Sequence, residues 1–119
     1  RYGRSRNIGV ARFAQLENLR FDQRFDLIVC SDVLHYLKPG EIRAGLPGLV
    51  EMLEGVAFIE VYTSRDEVVG DNEAFTARTP DWYRRTFAAA GLVACGSHGW
   101  LGPRLAGCTT ALEVCAAPR

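Results

Sequence analysis

A group of residues able to do acid–base chemistry directly follows an apolar run in the first third of the chain. The stretch "RFDLIVCSDVLHYL", residues 24 to 37, brings Asp32 and His35 close together in sequence. A histidine can accept a proton near neutral pH, here from a hydroxyl, amine or thiol. We therefore predict catalytic roles for His35 and Asp32. The alternative is that Asp32 caps a helix and His35 only fills space.

Two tyrosines are candidates for contact with a substrate. Tyr36 follows His35, and Tyr62 stands near the end of a second apolar run, "EGVAFIEVYT". An aromatic ring can stack on a planar molecule, so we predict that both tyrosines bind substrate. Both rings are equally suited to a place in the core, and the sequence leaves that alternative open.

Two apolar runs indicate the strands that position these residues. "FDLIVC" (25–30) lacks polar alternation, as does "EGVAFIEVYT" (54–63), which is typical of strands covered on both faces of a parallel sheet. Between them, apolar residues recur at helical spacing over 42–53. A strand, a helix and a second strand predict a right-handed crossover. We expect Pro47 to split or kink that helix, with an earlier break at 39–40.

The second half of the chain predicts a loop, a helix and two strands. Residues 63–78 have no steady period and read as a loop or flap. "TPDWYRRTFAAAG" (79–91) begins with a capping Thr79 and ends with a glycine, as helices do. Residues 92–97 and 109–116 predict two strands of an antiparallel hairpin, joined by a loop that contains Trp100. A weaker strand is predicted near 8–13.

Composition restricts the classes of function. The 119 residues suit one domain, 1–119, and 14 basic residues balance 14 acidic ones. Such a balance provides no field for nucleic acid, and no apolar run is long enough to span a membrane. The four cysteines have no CxxC pair and only two histidines accompany them, so we expect no metal site. We predict reduced thiols and a cytoplasmic protein.

The order of these elements, with "FDLIVCSDVLHYL" at its centre, resembles the later part of class I S-adenosylmethionine-dependent methyltransferases. In that family "FDLIV" corresponds to the fourth strand, "EGVAFIEVYT" to the fifth, and "TPDWYRRTFAAAGL" to the last large helix. The resemblance covers residues 24 to 116, and "ARFAQLENLRF" is similar to the third strand and the loop after it. It implies an α/β fold with a Rossmann-like methyltransferase sheet, mostly parallel, that ends in an antiparallel hairpin.

The resemblance also implies S-adenosylmethionine as cofactor and a small molecule as methyl acceptor. The amino-acid part of the cofactor would meet the chain just after the fourth strand. Gln15 stands where the family has an acidic residue that binds the adenine amino group, and a glutamine carbonyl can accept that hydrogen bond. The alternatives are an exposed Gln15 without a role and a Ser31 that only caps a helix. The predicted cofactor-binding residues are Gln15, Leu16, Glu17, Cys30 and Ser31.

Two features of the family have no counterpart in the sequence. These are the glycine-rich loop after the first strand and the acidic residue that ends the second strand. We therefore expect the chain to be the C-terminal part of a methyltransferase, with the N-terminal half of the domain absent and the fragment alone inactive. Because the family's fourth strand pairs with its first, the free edge needs a partner, either that half or a second copy in a homo-oligomer.

Three other functions compete with this interpretation. A non-catalytic, methyltransferase-like module that pairs with another chain would have the same fold. A nicotinamide-dependent oxidoreductase is disfavoured by the terminal hairpin and by the absence of a tyrosine–lysine pair at helical spacing. A hydrolase that uses Asp32 and His35 is disfavoured because no serine lies in a nucleophile-elbow pattern.

Overall fold

The computed structural model describes residues 10–18, 24–67 and 75–109, which form an α/β fold with one sheet. Two short 3₁₀ helices, Phe13–Glu17 and Leu34–Tyr36, accompany the regular elements. The strands are β1 (Phe25–Ser31), β2 (Leu53–Glu60), β3 (Val93–Gly96) and β4 (Gly99–Leu101), and the helices are α1 (Pro39–Glu51), α2 (Pro80–Ala89) and α3 (Pro103–Ala106).

Strands β1 and β2 are parallel neighbours, and α1 connects them. Ile28 lies opposite Ala57, and Cys30 lies opposite Ile59. The apolar runs thus predicted both strands and the crossover correctly. The carboxyl ends of both strands lie at one edge of the sheet, where open parallel sheets bind ligands.

The sheet has the order β1-β2-β4-β3, and β4 is antiparallel to both of its neighbours, β2 and β3. The predicted mostly parallel sheet is therefore wrong for the described residues, where only β1 and β2 pair in parallel. The predicted strand at 92–97 is confirmed as β3, but its hairpin partner is β4, so Trp100 lies in a strand and not in a loop. The strand predicted at 109–116 lies outside the described residues except for Thr109, which is not in a strand.

One face of the sheet carries the core. Side chains on that face come from successive strands, and helices α1 and α2 cover them with buried Leu46 and Phe87. The opposite face carries Leu27 and Val29, whose exposed fractions are 60% and 62%. No described helix covers these two side chains, so this face of β1 is open and apolar. In the described sheet β1 is also an edge strand, because it is the first in the strand order. The core row that crosses the sheet consists of Ile28, Ala57, Trp100 and Ala94.

Helix α1 is one continuous helix that begins at Pro39 and includes Pro47. The predicted break at 39–40 is wrong, because proline suits the first position of a helix, where its missing N–H has no intrahelical partner. The predicted split at Pro47 is also wrong. Buried Leu46 and Leu49 on either side of Pro47 anchor the helix to the core, which offsets the missing backbone hydrogen bond.

Helix α2 agrees with its sequence signals. The hydroxyl of Thr79 accepts a hydrogen bond from the backbone N–H of Trp82 at 3.1 Å, as expected of a helix cap. Gly91 has a φ of 99°, the left-handed conformation predicted for the end of this helix. Tyr83 and Phe87 are buried on its inner face. Cap, start and end signals thus predicted the helix within a residue or two.

The segment before β1 packs against α1. Residues 10–12 have no regular structure and Phe13 begins a 3₁₀ helix, so the weak strand predicted near 8–13 is wrong over its described part. This 3₁₀ helix reaches α1 at Gly45 and Gly48, where the helix surface has no side chains. A Cβ atom at Gly48 would overlap the carbonyl oxygen of Leu16. The two glycines therefore permit the close approach of the two helices.

Two classes of site have no candidate in the described residues. No helix in these three stretches is long and apolar enough to cross a bilayer. Likewise, no set of three or more His, Cys, Asp or Glu side chains there could hold a metal ion. Within these stretches, Cys30, Cys95 and Cys108 form no disulfide bond.

The close contact at Gly48 predicts a stability difference between two glycine-to-alanine variants of α1. We expect Gly48→Ala to displace the Phe13–Glu17 helix and to lower the free energy of unfolding by about 1–3 kcal/mol. Gly40→Ala is the matched control, because no atom lies within 4 Å of the Cβ that it would add. That variant should be neutral, or more stable by up to about 1 kcal/mol. Urea unfolding measures both, and equal stability of the two variants would contradict the packing.

Candidate functional site

The site lies where β1 and β2 end, and His35 is at its centre. The 3₁₀ helix Leu34–Tyr36 follows β1 and carries His35, while Tyr62 follows β2. The side chain of His35 is 0% exposed. The predicted residues Ser31, Asp32, His35 and Tyr62 are thus brought to the same edge of the sheet, as expected for the carboxyl ends of parallel strands.

One ring nitrogen of His35 forms a hydrogen bond, and the other lies close to a carboxylate. The backbone N–H of Tyr62 donates a hydrogen bond to Nδ1 at 3.2 Å. Because Nδ1 is the acceptor, this bond assigns the ring proton to Nε2. Nε2 lies 2.8 Å from Oδ1 of Asp32, but the N–H does not point along that line, so the contact is electrostatic and not a well-formed hydrogen bond.

The surroundings of His35 are aromatic. The ring centroids of Tyr36, Tyr62 and Phe75 lie 4.4, 5.3 and 5.3 Å from that of the imidazole. The carbonyl oxygen of His35 accepts a hydrogen bond from the N–H of Thr76 at 2.8 Å. His35 therefore fills the space between β1, β2 and the segment before α2. In this geometry it would have to release a hydrogen bond to act as a base, and its catalytic role stays a prediction.

Asp32 is the exposed member of the pair. Its side chain is 59% exposed, and its backbone N–H donates a hydrogen bond to the carbonyl oxygen of Glu60 at 3.1 Å. Its φ is 59°, in the left-handed region that residues other than glycine rarely adopt, with aspartate among the more frequent exceptions. This conformation ends β1 abruptly. It leaves the carboxylate open to solvent beside the buried imidazole.

Glu60 is a site residue that the sequence analysis did not identify. It ends β2 directly opposite Ser31, and the Ser31 hydroxyl donates a hydrogen bond to its Oε1 at 2.7 Å. Ser31 and Asp32 therefore stand beside a second carboxylate. The pairing of the last residues of β1 and β2 was the signal in the sequence, because parallel strands bring their ends together. Asp32 and Glu60 form an acidic rim at this edge.

Cys30 lies on the core face of β1 and not on the rim. It packs against the buried core and is opposite Ile59. Burial raises the pKa of the Cys30 thiol above its ordinary value, which keeps the thiol protonated at neutral pH. Its side chain is therefore not a charged group of the rim, and its predicted contact with a cofactor could involve only the backbone.

The residues predicted to bind adenine lie elsewhere in the described structure. Leu16 rests against Gly48 of α1, and Phe13–Glu17 makes its extensive contacts with α1 and not with β1. Gln15 is exposed, and its Oε1 accepts a hydrogen bond from the N–H of Arg12 at 2.6 Å. The side chain of Glu17 is outside the described residues. These contacts tie Leu16 to α1 and Gln15 to Arg12, and the role of both residues in binding adenine stays a prediction.

Arg78 is a further residue that the sequence analysis missed. Its guanidinium is buried and donates hydrogen bonds to the carbonyl oxygens of Leu34 and Leu37 and to the hydroxyl of Tyr83. It also lies 4.9 Å from the ring centroid of Trp82. These contacts hold the 3₁₀ helix of the site from the side of α2. No periodic pattern around residue 78 could have indicated the contacts with the 3₁₀ helix, since Leu34 and Leu37 are distant in sequence.

The arrangement suits the binding of a positively charged group. Two carboxylates, Asp32 and Glu60, face the same edge and are not paired with an arginine or lysine among the described residues. An exposed aromatic ring, Tyr62, stands beside them. Carboxylates attract cations, and an aromatic face adds a favourable interaction with the same charge. The His35 imidazole keeps Asp32 and the Tyr62 backbone in position.

The hydrogen bond from Tyr62 to His35 predicts the effect of two substitutions. His35→Leu leaves the partly buried Tyr62 N–H without an acceptor and should lower the free energy of unfolding by about 1 kcal/mol. His35→Asn keeps an acceptor near the position of Nδ1 and should lose less. Hydrogen exchange of the Tyr62 amide measures the bond directly. The assignment is wrong if that amide exchanges at the same rate in the leucine variant as in the original protein.

Comparison of the sequence with family models and curated proteins gives no match. No protein-family model matches the chain, and no curated protein matches it. The candidate site therefore stands on the positions, burial and contacts of its own residues.

Proposed function

We propose that this chain is the C-terminal part of an S-adenosylmethionine-dependent methyltransferase that acts on a small-molecule acceptor. The order of elements supports this, because a parallel crossover is followed by a helix and an antiparallel hairpin. That is the order that the resemblance of the sequence to class I methyltransferases implies. The observation on which the proposal depends most is the acidic rim at the carboxyl ends of β1 and β2.

The rim fits the cationic end of the cofactor. S-adenosylmethionine carries a positive sulfonium and a positive ammonium group, and both are attracted to carboxylates. Asp32 and Glu60 supply two carboxylates at one edge, and the Ser31 hydroxyl orients the second. Bound there, the cofactor would supply an electrophilic methyl group. Asp32 and Glu60 would hold its charged end, and Tyr62 would offer a face to a planar acceptor.

The adenine end of the cofactor finds no such fit among the described residues. Leu16 lies against Gly48 of α1, and Gln15 is exposed on the same 3₁₀ helix. The proposal therefore assigns only the charged end of the cofactor to this chain. The walls for the adenine would come from residues outside the described stretches or from another polypeptide.

A comparison of two cofactor forms tests the charge of the site. S-adenosylmethionine is positive at sulfur, whereas S-adenosylhomocysteine is a neutral thioether of nearly the same shape. We expect calorimetry to give tighter binding of the sulfonium form by about fivefold, the effect of roughly 1 kcal/mol between partly exposed charges. Asp32→Asn and Glu60→Gln should each reduce this preference.

Asp26→Asn is the matched control for that experiment. Asp26 is an exposed carboxylate on the same strand, but it lies at the opposite end of β1 from the rim. This substitution should leave the preference for the sulfonium form unchanged. Equal affinity of the original protein for both forms would refute the proposal.

The second candidate is a non-catalytic module that pairs with another chain, and the open face of β1 favours it. Leu27 and Val29 are more than half exposed on an edge strand, whose backbone can pair with a further strand. The chain has a formal net charge of +0, so no long-range repulsion opposes self-association. We infer that the partner in this case is β1 of a second copy.

Sedimentation velocity over a range of concentrations tests this pairing. The original protein should form a dimer, and Val29→Lys should shift the equilibrium toward the monomer, since the new charge would have to be buried at the interface. Val10→Lys is the control, because Val10 is 93% exposed but does not belong to the sheet. A monomer at every concentration, or an equal effect of both substitutions, would exclude this role for β1.

A further inference from the structure

A second site is suggested by a cavity of about 620 Å³ between α2 and the β3–β4 hairpin. It opens beside the carboxyl end of β2, where Val61 and Thr63 line it. Asp32 and His35 are not among the lining residues, so the cavity is separate from the acidic rim. Its volume lies in the range of small-molecule sites in proteins.

The floor of this cavity is apolar and aromatic. Phe87 of α2 and Trp100 of β4 meet edge to face with ring centroids 5.1 Å apart. Ile59 of β2 completes the floor. All three residues are buried, so the floor is set by the core and not by mobile surface side chains. Such a floor suits the apolar body of a ligand.

Two arginines stand at the mouth of the cavity. Arg65 and Arg84 line it, and no carboxylate of the described residues pairs with the guanidinium of Arg65. Arg84 lies 3.4 Å from Asp81, but both side chains are more than half exposed, so this pair is weak. Asp66 also lines the cavity. Its Oδ2 already accepts hydrogen bonds from the backbone N–H and the hydroxyl of Thr63 at 2.7 and 2.9 Å.

The hairpin turn adds polar side chains to the same mouth. Ser97 and His98 join β3 to β4 with φ values of 51° and 64°. Positive φ at both central positions is what a two-residue hairpin turn of type I′ requires. Asparagine and glycine are preferred in such turns because other residues are strained there. This turn instead carries a hydroxyl and an imidazole. Both residues line the cavity.

We propose that this cavity binds a small aromatic carboxylate. The carboxylate lies at Arg65 and Arg84, because guanidinium groups match the geometry of carboxylates with paired hydrogen bonds. The aromatic body lies against Trp100 and Phe87. This site does not depend on the proposed methyl transfer, since its lining residues are not those of the acidic rim.

A pair of probe molecules that differ only in charge tests the proposal. 2-Naphthoate carries the carboxylate, and 2-naphthamide replaces it with a neutral amide of similar shape. We expect calorimetry to give naphthoate binding that is tighter by about tenfold, in line with charge-assisted hydrogen bonds. Arg65→Gln should abolish most of this preference and leave the affinity for naphthamide unchanged.

Arg43→Gln is the matched control, since it removes the same charge from an exposed position on α1 that is not part of the cavity. It should leave the affinity for naphthoate unchanged. The chain contains only two tryptophans, so their indole N–H signals report the location of the ligand by nuclear magnetic resonance. The signal of Trp100 should shift on titration, and that of Trp82 should not.

Three results would overturn the proposal. These are equal affinity for naphthoate and naphthamide, an equal loss in the Arg43→Gln and Arg65→Gln variants, and no saturable shift of the Trp100 signal at millimolar ligand. Arg65 is exposed, so its substitution should leave the fold intact, and circular dichroism checks this. Binding of S-adenosylmethionine is a separate measurement at the acidic rim, and its outcome leaves this test unaffected.

Discussion

The contacts of one buried histidine connect three separate stretches of chain at the carboxyl edge of the sheet. The ring of His35 accepts the N–H of Tyr62 after β2, its other nitrogen lies beside Asp32 after β1, and its carbonyl accepts the N–H of Thr76 before α2. The imidazole contributes through Nδ1, which accepts the hydrogen bond, and through the closeness of Nε2 to the carboxylate of Asp32. An apolar residue of similar size would fill the space but leave the N–H of Tyr62 unpaired, at a cost in stability. The geometry of the rim therefore depends on this side chain.

A buried charge supports the same 3₁₀ helix from the opposite side. Arg78 has no carboxylate partner among the described residues, and its charge is balanced by two carbonyl oxygens and by the rings of Trp82 and Tyr83. Its Nε is buried without a partner. A buried cation without an anion is costly, so the positions of its neutral partners are tightly constrained. Arg78 thereby fixes where the segment before α2 meets the end of the 3₁₀ helix, at Leu37.

Local signals account for the parts of the fold that the sequence predicted. The continuous apolar runs of β1 and β2 indicated a parallel pair, and Thr79 and Gly91 marked the ends of α2. The β3–β4 hairpin was missed because Ser97 and His98 are not the residues that favour its turn. Its strands are also short, and the register depends on distant contacts such as that between Trp100 and Ala57.

The site was predictable to a similar extent and for similar reasons. Asp32 and His35 are close in sequence and directly follow β1, which is why they are also neighbours in the structure. The burial of His35 and its bond to Tyr62 arise from a contact between residues far apart in sequence, which spacing alone does not reveal. The approach of Leu16 to Gly48 likewise depends on how two helices pack, and no local signal in the sequence indicates that contact.

The end of β2 separates the acidic rim from the cavity. Glu60 belongs to the acidic rim and Tyr62 stands beside it, whereas Val61 and Thr63, which alternate with them along the chain, line the cavity that has Arg65 and Arg84 at its mouth. Because the two regions share a backbone segment and not side chains, a cation at the rim and an anion in the cavity would not compete for the same groups. Their opposite charges would instead attract each other weakly across the strand. Any movement of this segment would alter both regions together, and the bond between the Tyr62 amide and His35 is the contact that restrains it.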